Sequence, residues 1–363
     1  MPDSSPSLED LLERLLKVGG SDLHLKVGSP PTYRIHGELH MADLPSLSAE
    51  STAELLDSML PERVAPPSTG TDVDFAWGRS DLGRFRVNAY TQRGSVNIVV
   101  RAVPQNTENL ADLGLPATIA KLCSETKGLV VVTGPAGSGK TTTCSAILDH
   151  INTNRRANII TIEDPIEVLH SDKKSIVSQR EVGVDIDSLA DGMRSVLRQD
   201  PDVIYLGELR DRDTIEAALI AAETGQLVIT TMYTTDAVET VHRILDSFPP
   251  YLERRVRQML ASSLSAIVSQ RLLPKNEGSG RVPAVELMLN TEAIRERLIG
   301  TEDMDSLYET IAEGAFYGMQ TLDQAIVGLY EAGVVSFSDA IMFVASPREF
   351  KLATGSLTGS GPG

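Results

Sequence analysis

Residues 128–141 read GLVVVTGPAGSGKT. The apolar run 129–133, bounded by glycine, is the pattern of a strand buried on both faces. The eight residues after it, 134–141, match G-x-x-x-x-G-K-[ST], and a helix is expected at about 140–151. Strand, glycine-rich loop and helix in that order form a phosphate cradle. Gly134, Gly137 and Gly139 let the backbone curl so that its amides face inward, with Pro135, Ala136 and Ser138 completing the loop. The helix start at Lys140, Thr141 and Thr142 adds partial positive charge. Lys140 is placed to neutralise β- and γ-phosphates, and Thr141 to ligate Mg²⁺. A nucleoside triphosphate site is therefore expected.

Working outward, apolar strands are expected at GLVVVTG, NIITIED, DVIYLGE and QLVITTMYT. They alternate with helices at about 140–151, 188–199, 211–224 and 236–247, the signature of a parallel sheet in an α/β domain. After Pro249-Pro250 the chain reads as mainly helical. Upstream, SLEDLLERLLKVGG is a helix with Ser7 as cap, Asp10 three residues on, and leucines at helical spacing. Strands follow at DLHLKV and TYRIHG, joined by GSPP as a hairpin, then at DVDFAW, GRFRVNAYTQ and VNIVVRAV. The expected organisation is an α+β domain at 1–103, a polar linker at 104–113, a core with its helical region at 114–353, and a disordered low-complexity tail at 354–363.

The bulk composition narrows the function classes. With 33 Lys+Arg against 50 Asp+Glu, a net charge of −17 argues against extended nucleic-acid binding. Two cysteines, Cys123 and Cys144, cannot build a disulfide framework and suit a reducing, cytoplasmic setting. MPDSSPSLEDLL lacks a basic region followed by an apolar one, so no secretory signal is expected. No apolar run approaches the roughly 18 residues of a membrane span, so direct membrane insertion is not expected.

Hydrolysis of a bound triphosphate needs a carboxylate to activate water and cations to stabilise the developing charge. Two strand-end groups compete for the first role: IEDPIE with Glu163, Asp164 and Glu167, and GELRD with Glu208 and Asp211. Glu163 and Glu208 stand at the tips of apolar strands; Asp164 and Asp211 fit surface or capping roles equally well. The run VIYLGELRD nearly fits the acidic strand of a nucleotide hydrolase, except that Gly207 stands where aspartate is usual.

Taken in order, GPAGSGKTTT, TIEDPIE, MRSVLRQDPDVIYLGELRDRDTIEAALIAAETG and TTMYTTDAVETVHRILDSFP resemble the Walker A, Asp-box, Walker B and His-box of the secretion ATPase superfamily. Within it the chain most resembles the PilT-type pilus retraction ATPases. SDLHLKVGSPPTYRIHGEL and GRFRVNAYTQRG look like their N-terminal domain, VPAVELMLNTEAIRERLI and GAFYGMQTLDQAI like their C-terminal region. The resemblance implies a RecA-like P-loop ATPase core with a small N-terminal α+β (PAS-like) domain and a helical C-terminal extension. It implies ATP and Mg²⁺, Glu208 as the catalytic base behind a characteristic glycine, and Glu163 as the acid that organises metal and water. It also implies a homohexameric ring in which Arg86 and Arg101 reach a neighbour's nucleotide, a choice for which guanidinium forks are suited. Torque would pass to an inner-membrane pilus platform protein, with the motor peripheral at the cytoplasmic face and driving retraction. The alternatives are a pilus assembly or type II secretion ATPase, disfavoured by the lack of a tetracysteine insertion, or a weakly hydrolysing regulator.

Two departures accompany the resemblance. The His-box normally reads T-L-H-T, whereas Tyr233 stands in Thr231-Met232-Tyr233-Thr234 and offers only a neutral hydrogen-bond donor. The retraction motif AIRNLI is replaced by AIRERLI at 293–299.

Overall fold

Ser7 caps the first of the described helices. The computed structural model describes residues 7–300, apart from 69, 80, 106 and 279, and residues 305–355. Ser7 and Asp10 form a reciprocal capping box at the start of α1 (Leu8–Lys17). They satisfy backbone amides that a helix start leaves without partners. Leu8, Leu11, Leu12 and Leu15 form its buried stripe.

Residues 7–105, together with Glu167–Leu169, make one unit. Its strands are β1 (Asp22–Leu25), β2 (Thr32–Ile35), β3 (Glu38–Met41), β4 (Val73–Arg79), β5 (Gly83–Gln92) and β6 (Ser95–Ala102). They form an antiparallel sheet ordered β3-β2-β1-β6-β5-β4. Phe85, Val87 and Ala89 alternate inward along β5, as a half-buried strand requires, and pack with the α1 leucines, Leu23, Leu25 and Val100. Two elements went unread in the sequence. One is α2 (Ala49–Asp57), capped by Ser48. The other is β3, exposed at all four positions and so without an apolar alternation to read.

The second unit holds residues 106–166 and 170 onward. After α3 (Ala117–Leu122) come β7 (Gly128–Thr133), α4 (Lys140–Asn154), β8 (Asn158–Glu163), β9 (Ile176–Glu181), α5 (Leu189–Val196), β10 (Val203–Leu206), α6 (Arg212–Thr224), β11 (Leu227–Met232), α7 (Ala237–Asp246), α8 (Glu253–Ser263), β12 (Leu264–Pro274) and β13 (Arg281–Leu289). The sheet runs β13-β12-β7-β11-β10-β8-β9, parallel except for β13. Both faces are apolar. Leu129 and Val131 of β7 join one core with α5, α6 and α7, while Val130 and Val132 join another with α4. Ile204 and Leu206 against Val203 and Tyr205 repeat this split along β10. Such two-sided burial explains why these strands read as continuous apolar runs.

One expectation is corrected here. Helices α9 (Glu292–Ile299), α10 (Asp305–Ala312), α11 (Leu322–Glu331), α12 (Phe337–Phe343) and α13 (Pro347–Ala353) follow as read, but 264–289 is a strand pair. A short apolar run such as LSAIVSQRLL fits a buried helix or strand alike, and the pairing of Val268 with Val132 of β7 decides for strand. Strand β9, at the sheet's edge with polar positions, was also unread. Thr354 still caps α13, and the ending from 356 onward, where the tail was expected to be disordered, lies outside the described residues.

Candidate nucleotide site

Parallel strands place all their C-terminal ends at one edge, and ligands of such sheets gather there. Four strands converge on this edge with chemistry at their tips. The phosphate-loop residues follow β7, Glu163 ends β8, Gly207 and Glu208 follow β10, and Tyr233 follows β11.

The loop has the geometry that its glycines predict. Gly134, Gly137 and Gly139 all take positive φ, at 144°, 75° and 91°. A Cβ on Gly134 would collide with the Gln270 carbonyl and the Ser138 hydroxyl, so only glycine fits there. Lys140, only 8% exposed, donates from Nζ to the carbonyls of Gly134 at 2.7 Å and Pro135 at 3.0 Å. The Tyr233 ring centroid lies 4.0 Å from the same Nζ. The buried Ser138 hydroxyl finds no hydrogen-bond partner among the described residues. Pro135, Ala136, Thr141 and Thr142 occupy the loop and the first turn of α4, where backbone amides lack helical partners.

Gln270 of β12 clamps this loop. Its Nε2 donates to the Ser138 carbonyl at 2.6 Å, and its Oε1 accepts from Thr143 Oγ1 at 2.9 Å. Sequence reading passed over Gln270 because its strand was read as helix. A polar residue inside an apolar strand pattern would have been the signal.

Glu163 is buried and oriented. Its Oε1 accepts from Thr161 Oγ1 at 2.6 Å and from Gln179 Nε2 at 3.0 Å. Gln179 belongs to the unread β9. Glu208 is held differently: Arg210 Nε donates to its Oε2 at 2.8 Å, while Arg210 NH1 reaches Asp164 Oδ2 at 3.0 Å. The hydrogen bond to Glu208 raises the Arg210 guanidinium above its ordinary pKa, against the opposing effect of burial. Arg210 stands two residues from Glu208 and ties both acidic strand tips together. Asp211 caps α6 by accepting from Thr214 N, as one of its two readings had it. A Cβ at Gly207 would meet the Ile162 carbonyl at 3.5 Å and Glu163 Cα at 3.6 Å, ordinary contacts. Backbone strain therefore does not dictate glycine there.

Arg86 and Arg101 lie in the other unit, directly opposite each other on β5 and β6. Asp22 of β1 faces Arg101 in turn. Arg101 Nε bonds Asp22 Oδ1 at 2.8 Å, and Arg86 NH2 pairs with Glu167 Oε1 at 3.5 Å. The Arg101 side chain remains 64% exposed and that of Arg86 29%. Burial opposes ionisation of Asp22, but the Ser21 hydroxyl and the Arg101 guanidinium outweigh it and hold the carboxyl below its usual range.

Glu286 of β13 was not singled out by sequence. It is buried and accepts from the first amide of α7, Ala237 N, at 2.7 Å. Burial pushes its carboxyl up from the ordinary 4.5 to about 7. The folded state thus holds a proton that the unfolded chain releases. Its contribution to stability is complete below about 4.5 and declines as pH rises to about 7, by at most ~1.4 kcal/mol per pH unit. Thermal melts from pH 5 to 8 should fall more steeply for the native chain than for Glu286→Gln. Parallel curves would refute this assignment.

The sequence profile of the family described as type II/IV secretion system protein matches residues 7–327. The type IV pilus retractation ATPase PilT of Pseudomonas aeruginosa is 40% identical over 344 residues, covering 94% of this chain and 99% of that protein. A twitching motility protein of Neisseria gonorrhoeae is 40% identical over 307 residues, 84% of this chain and 82% of its own. The crystal structure of the pilus retraction motor PilT with bound ADP matches with a TM-score of 0.84 at 41% identity, covering 95% of this chain and 99% of that one.

Proposed function

Because the chain belongs to the type II/IV secretion system protein family, we propose that it is an ATP-hydrolysing motor that retracts a type IV pilus from the cytoplasmic face of the inner membrane. The observation that carries this reading is the intact phosphate loop with Glu163 and Glu208 at neighbouring strand tips, in a chain that matches a retraction motor along nearly its whole length. In it the loop amides and Lys140 hold the phosphates of ATP. Glu208 accepts the proton of the attacking water, and Glu163, held by Thr161 and Gln179, keeps that water in line.

The donors present, the Thr141 hydroxyl and the Glu163 carboxylate, are the hard oxygens that suit Mg²⁺. When bound, Mg²⁺ supplies charge neutralisation on the phosphates. Arg86 and Arg101 serve a neighbouring subunit's nucleotide in a homohexameric ring, exchanging their Glu167 and Asp22 partners for phosphate. Among the described residues no helix is long and apolar enough to cross a membrane. In this reading attachment to the membrane runs through an inner-membrane platform protein.

Deletion of the coding sequence tests the direction of work. Hyperpiliated cells that no longer twitch are expected, and bald cells would assign the motor to assembly instead. Light scattering with a nonhydrolysable nucleotide should give a hexamer. A chain that stays monomeric in every nucleotide would remove the role of Arg86 and Arg101.

A further inference from the structure

Lys140 is the cation on which phosphate binding depends, and Tyr233 stands against it. The contact follows from sheet register. Met232, the last residue of β11, lies opposite Thr133, the last of β7, so Tyr233 and Gly134 leave adjacent parallel strands side by side. Tyr233 is also pinned from behind. Buried Thr234 shares a 2.6 Å hydrogen bond with Thr240, and Asp236 caps α7 by accepting from Glu239 N at 2.7 Å. Between these anchors the ring lies with its centroid 4.0 Å from Lys140 Nζ, inside the roughly 6 Å range of a cation–π contact. Lys140 is buried, and the interaction is stronger where the cation is desolvated. The tyrosine itself is 58% exposed, so the ring can swing outward without disturbing a core.

We propose that Tyr233 sets nucleotide affinity through its ring face, by competing with the β- and γ-phosphates of the nucleotide for the Lys140 ammonium. The proposal rests on the nucleotide-site reading above and adds a positioning residue to it. A phosphate oxygen and an aromatic face both seek the same Nζ, and the two loop carbonyls already accept from it at 2.7 Å and 3.0 Å. A phosphate oxygen that approaches Nζ from the ring's side competes with the ring, and the ring, being exposed, is free to move away. The effect depends on the π face. The tyrosine hydroxyl takes no part in it, which separates this role from that of a neutral hydrogen-bond donor to the γ-phosphate.

Calorimetric titration of the full chain with ADP tests the idea. Tyr233→Leu keeps apolar bulk but removes the π face, and it should tighten ADP binding by about two- to thirtyfold. Tyr233→Phe restores the ring without the hydroxyl and should return the dissociation constant to the native value. Without nucleotide, Tyr233→Leu should melt slightly below the native chain and Tyr233→Phe should melt with it, because the lost ring–ammonium contact belongs to the nucleotide-free state; a role confined to packing would lower the melting temperature without tightening ADP. Weaker binding by Tyr233→Phe would overturn the proposal in favour of the hydroxyl, as would ADP binding by Tyr233→Leu that is unchanged or weaker. If the native chain bound no ADP at all, the nucleotide-site reading would itself fall.

Discussion

Glu208→Gln should lower ATP turnover by roughly 10²- to 10⁴-fold while ATP remains bound. The amide has nearly the shape of the carboxylate, so the tip of β10 keeps its geometry. Its oxygen can still accept the Arg210 Nε hydrogen bond that now measures 2.8 Å, and Asp164 holds the other arm of that guanidinium at 3.0 Å. What the amide cannot do is take a proton from water. The phosphate loop has anchors of its own, with Lys140 held by Gly134 and Pro135 and the loop by Gln270. Phosphate release in the steady state, measured beside the ADP dissociation constant, separates the two quantities. Turnover near the native rate would move the base to Glu163, the other oriented carboxylate at this edge.

Lys140→Ala should have the opposite profile. Charge-assisted hydrogen bonds to phosphate contribute about 1.5–3 kcal/mol each, so losing even one weakens ATP binding by roughly 10- to 150-fold. The loss has a second source. The carbonyls of Gly134 and Pro135 lose the donor that holds the loop in its curl, and the loop is no longer preorganised for phosphate. The measurement is competition against a fluorescent nucleotide, with turnover at saturating ATP as the companion. Native affinity in Lys140→Ala would mean that the loop amides alone hold the phosphates.

Much of this was legible in consecutive residues. GLVVVTGPAGSGKT spells strand, loop and helix because strand burial, positive-φ glycines and an uncapped helix start act over a few neighbours. The caps at Ser7 and Asp211 were readable for the same reason, as were the acids at the ends of β8 and β10. The motif order carried the family with equal clarity. The strands that escaped reading are those whose own residues do not decide their conformation: β3 has no buried face, β9 is an edge, and the apolar runs of β12 and β13 fit helix and strand alike.

By itself, then, the sequence determined the phosphate loop, the two candidate acids and the alternating core, all properties of short segments. Which groups hold those residues in place was decided only by the tertiary structure. Gln270 reaches Ser138 across 132 positions, and Arg210 reaches Asp164 across 46. Tyr233 meets Lys140 only because β11 pairs with β7 in one register. A shift of one residue along that pair would turn successive side chains to the opposite face, away from the helices against which each now packs.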